Sequence, residues 1–262
     1  MSSPSHVRIH RMPILAMSND GYFGEAVAET YDNDVDSFNP DVIEPVVDCL
    51  KELAGNGRVL EFGIGIGRIA LPLAKRGVEV HGIDLSGAML SKLAEKTGGD
   101  RIPVIQGDFA TTKCEGSFSL VYLIFNTIMN LTTQDAQVQC FQNAAAHLEP
   151  GGHFIIEVIV PSLQRIPFGE TKHVFEFGDD HWGIDDYDFV SQTLESHHMM
   201  VRDSKIELSC IPCRYVWPSE LDLMARIANL ELKGRWGGWK NEPFTNTSRS
   251  HVSVWEKSSD GD

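Results

Sequence analysis

Hydrophobic positions along the first half of the chain follow two periods in turn. Asn39 and Pro40 suit a helix cap and a first helical position. Behind them, apolar residues recur at helical spacing: Ile43, Val46, Val47, Leu50 and Leu53. Short apolar runs then alternate with further helical patterns, the runs being RVLEF, VEVHGID, RIPVIQGD, FSLVYLIF and HFIIEVIV. Continuous apolar strands are typical of a parallel sheet covered on both faces, so the pattern predicts a doubly wound α/β fold.

The rhythm changes after the fifth predicted strand. Residues 161 to 216 contain several extended stretches separated by polar turns, which predicts an antiparallel insertion. Beyond it, Pro218 and Ser219 open a further helix, and the stretches LELKGRW and HVSVWEK predict two closing strands. The core sheet is therefore expected to be completed by the end of the chain, after an interruption of about 55 residues.

Composition and charge indicate which kinds of partner, nucleic acid or membrane, the protein can bind. The 262 residues carry 37 acidic and 22 basic side chains, a formal charge of −15, and no run of Lys or Arg. We therefore expect no nucleic-acid partner. No apolar run approaches the roughly 18 residues of a membrane span, and the N-terminus lacks a signal-peptide pattern, so we expect no membrane association.

The cysteines indicate a reducing compartment. Five of them occur without the spacing of a disulfide framework, which favours a cytoplasmic location. Cys210 and Cys213 form a CxxC pair in a strand-like segment. Because strand positions three apart point to opposite faces, and no second pair could complete a zinc site, we predict no metal site.

A glycine-rich turn between the first core strand and its helix is the main functional signal. The stretch LEFGIGIGR places Gly63, Gly65 and Gly67 at alternate positions, where missing Cβ atoms let the backbone approach a ligand. A dinucleotide turn has the spacing G-x-G-x-x-G, with an acidic residue about 20 positions on. Here the spacing is G-x-G-x-G, and Glu61 precedes it. That carboxylate offers nothing to a pyrophosphate but suits a cofactor with an ammonium group and no phosphate, such as S-adenosylmethionine.

Four motifs in order resemble the class I S-adenosylmethionine-dependent methyltransferases: LEFGIGIGR, VHGIDLS, VIQGDF and LEPGGHFIIE. The resemblance spans roughly residues 40 to 160, and the closing helix and strands at 218 to 257 are similar too. The chain looks most like the small-molecule enzymes of microbial secondary metabolism and sugar modification. The resemblance implies a seven-stranded, mostly parallel sheet whose last strand is antiparallel.

The same resemblance implies roles at the cofactor. Glu61 would face the methionine end, and Gly63 and Gly65 would let the backbone approach the amino acid and the ribose. Asp84, at the end of the second strand, would accept hydrogen bonds from both ribose hydroxyls, as charge-assisted bonds.

On the adenine side, the resemblance implies contacts from two strand ends. Leu85 and Met89 would press on the ring. Asp108 would accept a hydrogen bond from the adenine amino group, and the backbone N–H of Phe109 would address the neighbouring ring nitrogen. An N-terminal aromatic often closes the site in this family, and Tyr31 (or Tyr22) suits that role.

The acceptor is expected at the carboxyl ends of the strands. Asn126 follows the fourth predicted strand. Aromatic residues are concentrated in the insertion (Trp182) and around the end of LELKGRW, the sixth predicted strand (Trp236 and Trp239). These side chains predict a mostly apolar pocket for a small organic methyl acceptor; for each aromatic, plain packing on the core is the alternative.

Two residues are candidate general bases for a hydroxyl acceptor. Glu157 stands in an otherwise apolar strand, where a carboxylate has a partner or a task. It can equally be a structural acceptor for backbone N–H groups. His181 is the second candidate.

The sequence thus predicts transfer of a methyl group from S-adenosylmethionine to an oxygen or nitrogen of a small acceptor. An NAD(P)-dependent oxidoreductase and a non-catalytic S-adenosylmethionine-binding protein are the alternatives, and a homodimer is left open. The sequence predicts four segments. Residues 1–39 form an N-terminal lid segment, and residues 40–160 form a Rossmann-like cofactor-binding core. Residues 161–216 form an antiparallel substrate-side insertion, and residues 217–262 complete the core sheet.

Overall fold

The computed structural model describes residues 22–30, 39–202 and 205–259. The helices are α1 Glu25–Thr30, α2 Pro40–Ala54, α3 Ala70–Lys75, α4 Gly87–Glu95, α5 Gln134–His147 and α6 Pro218–Ile227. The strands of the larger sheet are β1 Val59–Phe62, β2 Val80–Asp84, β3 Val104–Gln106, β4 Phe118–Leu123, β5 Leu148–Ile159, β10 Leu230–Trp236 and β11 Ser250–Lys257. The strands of the smaller sheet are β6 Lys172–Phe177, β7 His181–Asp188, β8 Thr193–Arg202 and β9 Lys205–Arg214. None of the described helices combines the length and the apolar character needed to cross a membrane.

The larger sheet has the strand order β10-β11-β5-β4-β1-β2-β3. Strands β1 to β5 pair in parallel, whereas β11 is antiparallel to both β5 and β10. The predicted doubly wound sheet with an antiparallel last strand is therefore confirmed. The order reverses between β1 and β4, and ligands of such sheets bind at the carboxyl ends of the strands on either side of this reversal.

Local sequence signals set the helix starts. Asn39, Ser86 and Thr133 each adopt an extended backbone and accept a hydrogen bond from an amide two or three residues further on. These bonds satisfy amides that have no partner inside the helix. As a result α4 begins directly after the end of β2, beside the glycine turn.

Both faces of the larger sheet are covered. One face packs against α5 and α6, and its core contains most of the largest buried aromatic side chains, among them Phe62, Phe141, Phe154 and Trp255. The other face packs on α2 and α3. This double cover explains why the core strands are apolar on both sides.

The insertion forms a second, four-stranded antiparallel sheet with the order β6-β7-β8-β9, as predicted. It leaves the larger sheet at the carboxyl end of β5. Tyr187, Leu194 and Tyr215 are buried in the cluster that includes α5 and α6, which attaches this sheet to the core. The buried Arg214 adds hydrogen bonds to Gln137 and Glu220. One end of the insertion is therefore firmly anchored beside the candidate site.

Candidate functional site

The glycine turn after β1 uses each glycine for a different reason. All three have positive φ, at 71° for Gly63, 52° for Gly65 and 77° for Gly67. A Cβ on Gly63 would stand 2.7 Å from the Thr127 methyl, and one on Gly67 would stand 2.4 Å from a methyl of Leu93. A Cβ on Gly65 would have no atom within 4 Å. The outer glycines thus allow close packing of the turn, whereas Gly65 faces open space.

Asp84 connects this turn to the end of β2. Its Oδ2 accepts a hydrogen bond from the Gly65 amide at 2.7 Å, and its Oδ1 accepts one from the Ser86 amide at 2.9 Å. Burial raises the pKa of Asp84, and backbone hydrogen bonds oppose that rise. Each carboxylate oxygen keeps a second lone pair. Asp84 can therefore hold the turn and still accept hydrogen bonds from a ligand.

Glu61 is a buried carboxyl group under the same turn. Its Oε2 accepts a hydrogen bond from the Tyr122 hydroxyl at 2.9 Å. Burial, with a smaller contribution from Asp84, raises its pKa to about 8, against the opposing effects of Tyr122 and Arg68. A cationic group bound beside this carboxyl would favour its ionised form.

A small cavity lies between the turn and the end of β4. It is lined by residues 61–66, Arg68, Ile124, Phe125 and Thr127. The guanidinium of Arg68 stacks over the ring of Phe125 at 4.7 Å from its centroid. The cavity therefore has a carboxyl group at its base, glycine backbone on one side and the end of β4 on the other.

The turn after β4 is strained and braced. Phe125 and Asn126 are consecutive residues with left-handed backbone, at φ 54° and 63°. The Phe125 amide donates to Glu157 Oε2 at 3.0 Å, and Asn126 Oδ1 accepts a hydrogen bond from the Ile159 amide at 2.8 Å. Such strain persists where the surroundings fix it, and it is common at functional sites. Here the end of β5 holds the turn that forms one wall of the cavity.

Comparison with known proteins identifies the family. Residues 59–152 match a family model described as a methyltransferase domain. The chain is 26% identical over 250 residues to the cypemycin N-terminal methyltransferase of a Streptomyces species, covering 92% of this chain and all of the relative. The solved structure of the CcbJ methyltransferase from Streptomyces caelestis is 36% identical, with a TM-score of 0.80, and the match covers 90% of this chain and 98% of that one. The chain belongs to the class I S-adenosylmethionine-dependent methyltransferases.

A more distant solved structure shares the fold. CalS10, an amino pentose methyltransferase from Micromonospora echinaspora, matches with a TM-score of 0.64 at 18% identity, covering 87% of this chain and 97% of that one. Family membership decides against the oxidoreductase alternative. The methyltransferase uses S-adenosylmethionine, and two features of its glycine turn fit that cofactor: the open space that a Gly65 Cβ would enter, and the buried Glu61 carboxyl group.

The predicted adenine contacts lie at adjacent strand ends, since Asp84 pairs with Gln106 in the sheet. Leu85 is exposed, directly after β2. The Asp108 side chain is also exposed and accepts a hydrogen bond from the Ala110 amide at 2.8 Å. Their placement is compatible with the prediction, and their roles stay predictions.

Phe109 and Met89 are more buried than the other predicted adenine residues. The ring of Phe109 stacks on Phe62 at 5.8 Å between centroids, so only its backbone is offered to a ligand, as the prediction requires. Met89 is 2% exposed and belongs to an apolar cluster with Ala28 of α1 and Ile66 of the turn. An adenine contact with Met89 would need that packing to rearrange.

The N-terminal segment joins the cofactor turn to the insertion. The Ser86 hydroxyl donates to the Phe23 carbonyl at 2.6 Å, and the Tyr22 hydroxyl donates to the Cys210 carbonyl on β9. Tyr22 is therefore committed to the insertion in this structure. Tyr31, the first choice for a closing aromatic, lies outside the described residues.

One oxygen of Glu157 accepts a hydrogen bond from a backbone amide. Through that oxygen Glu157 has the structural role that the sequence offered as an alternative to catalysis. Burial raises its pKa, against the hydrogen bond from the Phe125 amide and the nearby Trp239 indole. The Trp239 N–H lies near this carboxylate but outside hydrogen-bond geometry, and it has no hydrogen-bond partner among the described residues. Trp236 and Trp239 both pack on the core cluster of α2 and α3. Trp239 thus brings the loop after β10 to the carboxyl edge beside Glu157.

The two predicted residues on β7 have opposite orientations. His181 shares a strand face with the core-attached Tyr187, and its Nε2 lies 3.0 Å from Nδ1 of His198. Trp182 points to the other face, where it stacks on Phe177 and is 42% exposed. Strand alternation turns Trp182 away from the core, whereas Trp236 and Trp239 pack on it, and the acceptor contacts of these three residues stay predictions.

Sequence reasoning missed the partners that fix these groups. Tyr122, the hydrogen-bond partner of Glu61, is directly opposite it on the neighbouring strand β4. The sequence did contain a signal for this contact: a tyrosine within an apolar strand, whose buried hydroxyl needs a hydrogen-bond partner. Thr127, whose methyl explains Gly63, gave no such signal.

Proposed function

We propose that this methyltransferase methylates an amine nitrogen of a small organic acceptor, in the cytoplasm. The observation that carries the proposal is Glu157, a largely buried carboxylate beside the Trp239 indole, one hydrogen bond away from the wall of the candidate cofactor cavity. A carboxylate next to an aromatic ring suits an ammonium group. The name of the cypemycin relative, an N-terminal methyltransferase, supports nitrogen as the acceptor atom.

The cofactor-binding roles follow from the turn. When bound, S-adenosylmethionine supplies an electrophilic methyl group on sulfur. Glu61 would pair with the ammonium group of the cofactor, and Asp84 would accept hydrogen bonds from the cofactor's ribose. Gly65 would leave room for the part of the cofactor that lies against the protein backbone. Leu85, Asp108 and the Phe109 backbone N–H would contact the adenine, in the positions already described.

On the acceptor side, Glu157 would bind the amine and take up its proton. The nitrogen lone pair would form the new bond to the methyl carbon as the carbon–sulfur bond of the cofactor breaks, and that bond's electron pair would stay on sulfur in S-adenosylhomocysteine, the second product. Asn126 and Glu157 together fix the turn after β4, which would lie beside the reacting atoms. The raised pKa of Glu157 makes it a better proton acceptor than an ordinary carboxylate.

The division of labour along the chain is part of the proposal. The lid predicted for residues 1–39 lies largely outside the described residues, but Tyr22 and Phe23 within it join the insertion to the cofactor turn, which supports the prediction. Residues 161–216 and the loop after Trp236 would enclose the acceptor. The five cysteines are all free thiols, which supports the cytoplasmic location.

Matched acceptor pairs test the proposal. A panel of small amines is incubated with enzyme and S-adenosylmethionine beside the corresponding alcohols, and S-adenosylhomocysteine release is measured. We expect turnover with members of the amine set only, with the methylated nitrogen confirmed by mass spectrometry. Turnover of alcohols without turnover of the matched amines would contradict N-methylation. Cofactor binding without turnover across a broad panel of both would favour the non-catalytic alternative.

A further inference from the structure

Three potential metal ligands meet on one face of the insertion sheet. His197 on β8 is directly opposite Cys210 on β9, and Glu195 lies two residues before His197 on the same face. The Nε2 atom of His197 is 3.5 Å from a carboxylate oxygen of Glu195. One imidazole nitrogen of His197, one carboxylate oxygen of Glu195 and the sulfur of Cys210 all lie within 4.8 Å of one another. The strand register therefore converges three different donors on one point.

We propose that Glu195, His197 and Cys210 bind a zinc-like divalent transition-metal ion. A thiolate, an imidazole and a carboxylate form a donor set that suits Zn²⁺, with ligand distances of about 2.0 to 2.3 Å. Mg²⁺ and Ca²⁺ prefer oxygen ligands alone, so the sulfur and nitrogen atoms discriminate against them. Three protein ligands leave the fourth tetrahedral position for water.

The site has a defined neighbour in the N-terminal segment. The carbonyl group of Cys210 accepts the hydrogen bond from the Tyr22 hydroxyl. Tyr22 is followed by Phe23, whose carbonyl is bound by Ser86 at the start of α4. A metal ion at Cys210 would fix the β8–β9 hairpin at the point where the N-terminal segment is attached, so it would stabilise that attachment.

The cross-strand trio differs from the CxxC pair visible in the sequence. Cys213 is opposite Leu194, which is buried in the core, so Cys213 points to the other face of the sheet. His198 likewise points to that face and contacts His181. Two of the three proposed ligands, His197 and Cys210, therefore have a neighbour of the same residue type that cannot reach the site. These neighbours serve as matched controls.

Cobalt titration of the 262-residue chain, without an affinity tag and after treatment with a chelator, tests the proposal. Co²⁺ bound to a thiolate absorbs in the near ultraviolet by charge transfer, so Cys210 reports its own ligation. We expect one equivalent to bind, and Zn²⁺ but not Mg²⁺ to displace it. Cys210→Ser and His197→Ala should lose the absorption, whereas Cys213→Ser and His198→Ala should keep it.

A stability measurement complements the spectroscopy. Zn²⁺ should raise the melting temperature of the wild type and of Cys213→Ser, and should have no such effect on Cys210→Ser. Glu195→Gln provides a variant at an exposed position if either of the other ligand variants fails to fold. Absence of the charge-transfer band in wild type, equal bands in Cys210→Ser, or equal loss in Cys213→Ser would each overturn the proposal.

Discussion

At the residue scale, Asp84 combines a structural task with its proposed ligand contact. Asp84→Asn keeps one carbonyl oxygen but loses the charge and one of the two backbone acceptors that now bind Gly65 and Ser86. We expect calorimetric affinity for S-adenosylhomocysteine to fall about 10-fold or more in Asp84→Asn, and further in Asp84→Ala, because each charge-assisted hydrogen bond contributes about 1.5–3 kcal/mol. A folded Asp84→Ala variant with affinity within about twofold of wild type would remove the ribose assignment.

Glu61 predicts a pH dependence of stability with a definite sign. Its pKa rises from 4.5 to about 8 on folding without a ligand, so the folded state keeps a proton that the unfolded state loses. This contribution is complete below pH 4.5 and is lost as pH rises toward 8, at up to roughly 1.4 kcal/mol per pH unit. Glu61→Gln should therefore melt at a higher temperature than the ligand-free wild type at pH 8, with a smaller difference at pH 5.

The matching ligand experiment separates this effect from general damage. Glu61→Gln should bind S-adenosylhomocysteine more weakly, since it cannot pair with the ammonium group. Wild-type binding should release protons near pH 7, which calorimetry in buffers of different ionisation enthalpy detects. A Glu61→Gln variant with full affinity, or an unchanged stability profile, would contradict this assignment.

Local spacing predicted some of the candidate site residues and not others. Gly65 and Asp84 could be found because a motif carries them within about 20 residues. Tyr122 could not, since it reaches Glu61 from a different strand. Cys210 and His197 were missed as a pair for the same reason, because only the strand register places them opposite each other.

At the element scale, Glu157 near the carboxyl end of β5 has two proposed roles, holding the turn after β4 and accepting a proton, and two variants can separate them. Glu157→Gln keeps an oxygen for the Phe125 amide, whereas Glu157→Ala removes it. We expect Glu157→Gln to retain cofactor affinity and melting temperature but to lose about 100-fold in kcat, the lower range for a positioned proton acceptor. The acid limb of the pH–rate profile should disappear with it. Unchanged kcat in Glu157→Gln, with loss only in Glu157→Ala, would leave Glu157 a purely structural role.

The insertion should depend on its buried anchor. Arg214 bonds to Gln137 and Glu220 with little exposure, so Arg214→Ala leaves buried polar partners uncompensated and should cost about 3–5 kcal/mol in urea unfolding. Lys172, which pairs with Asp186 at the exposed side of the same sheet, is the control, and Lys172→Ala should cost less than about 1 kcal/mol. Equal costs for the two variants would contradict the anchor.

Strand alternation predicted the insertion but not its orientation. Both faces of β7 carry aromatic side chains, Trp182 on one and Tyr187 on the other, so composition alone did not tell which face packs on the core. The buried Leu194 beside Tyr187 decides it in the structure. The sequence alone therefore did not show that Trp182 lies on the face of the insertion sheet that points away from the core.

At the scale of the whole molecule, the alternation of apolar strands and helices was enough to predict the doubly wound sheet. The order of the last two strands needed the resemblance to a known family, because nothing local distinguishes a parallel from an antiparallel edge strand. The contacts of the N-terminal segment with α4 and β9 could not be read from the sequence, since they are made by backbone carbonyls that every residue has.

The most direct test of the cofactor site compares two glycines that both have a positive φ. Gly65 and Gly77 both have positive φ, and a Cβ on either would meet no atom within 4 Å, but only Gly65 lies in the turn. Their φ angles are 52° and 86°, so valine at either position would have a left-handed backbone, which β-branched residues rarely adopt. Calorimetric titration with S-adenosylhomocysteine should show wild-type affinity in Gly77→Val and none in Gly65→Val, while the two ligand-free variants melt at similar temperatures. Retained binding in Gly65→Val would contradict the assignment of this turn as the cofactor site.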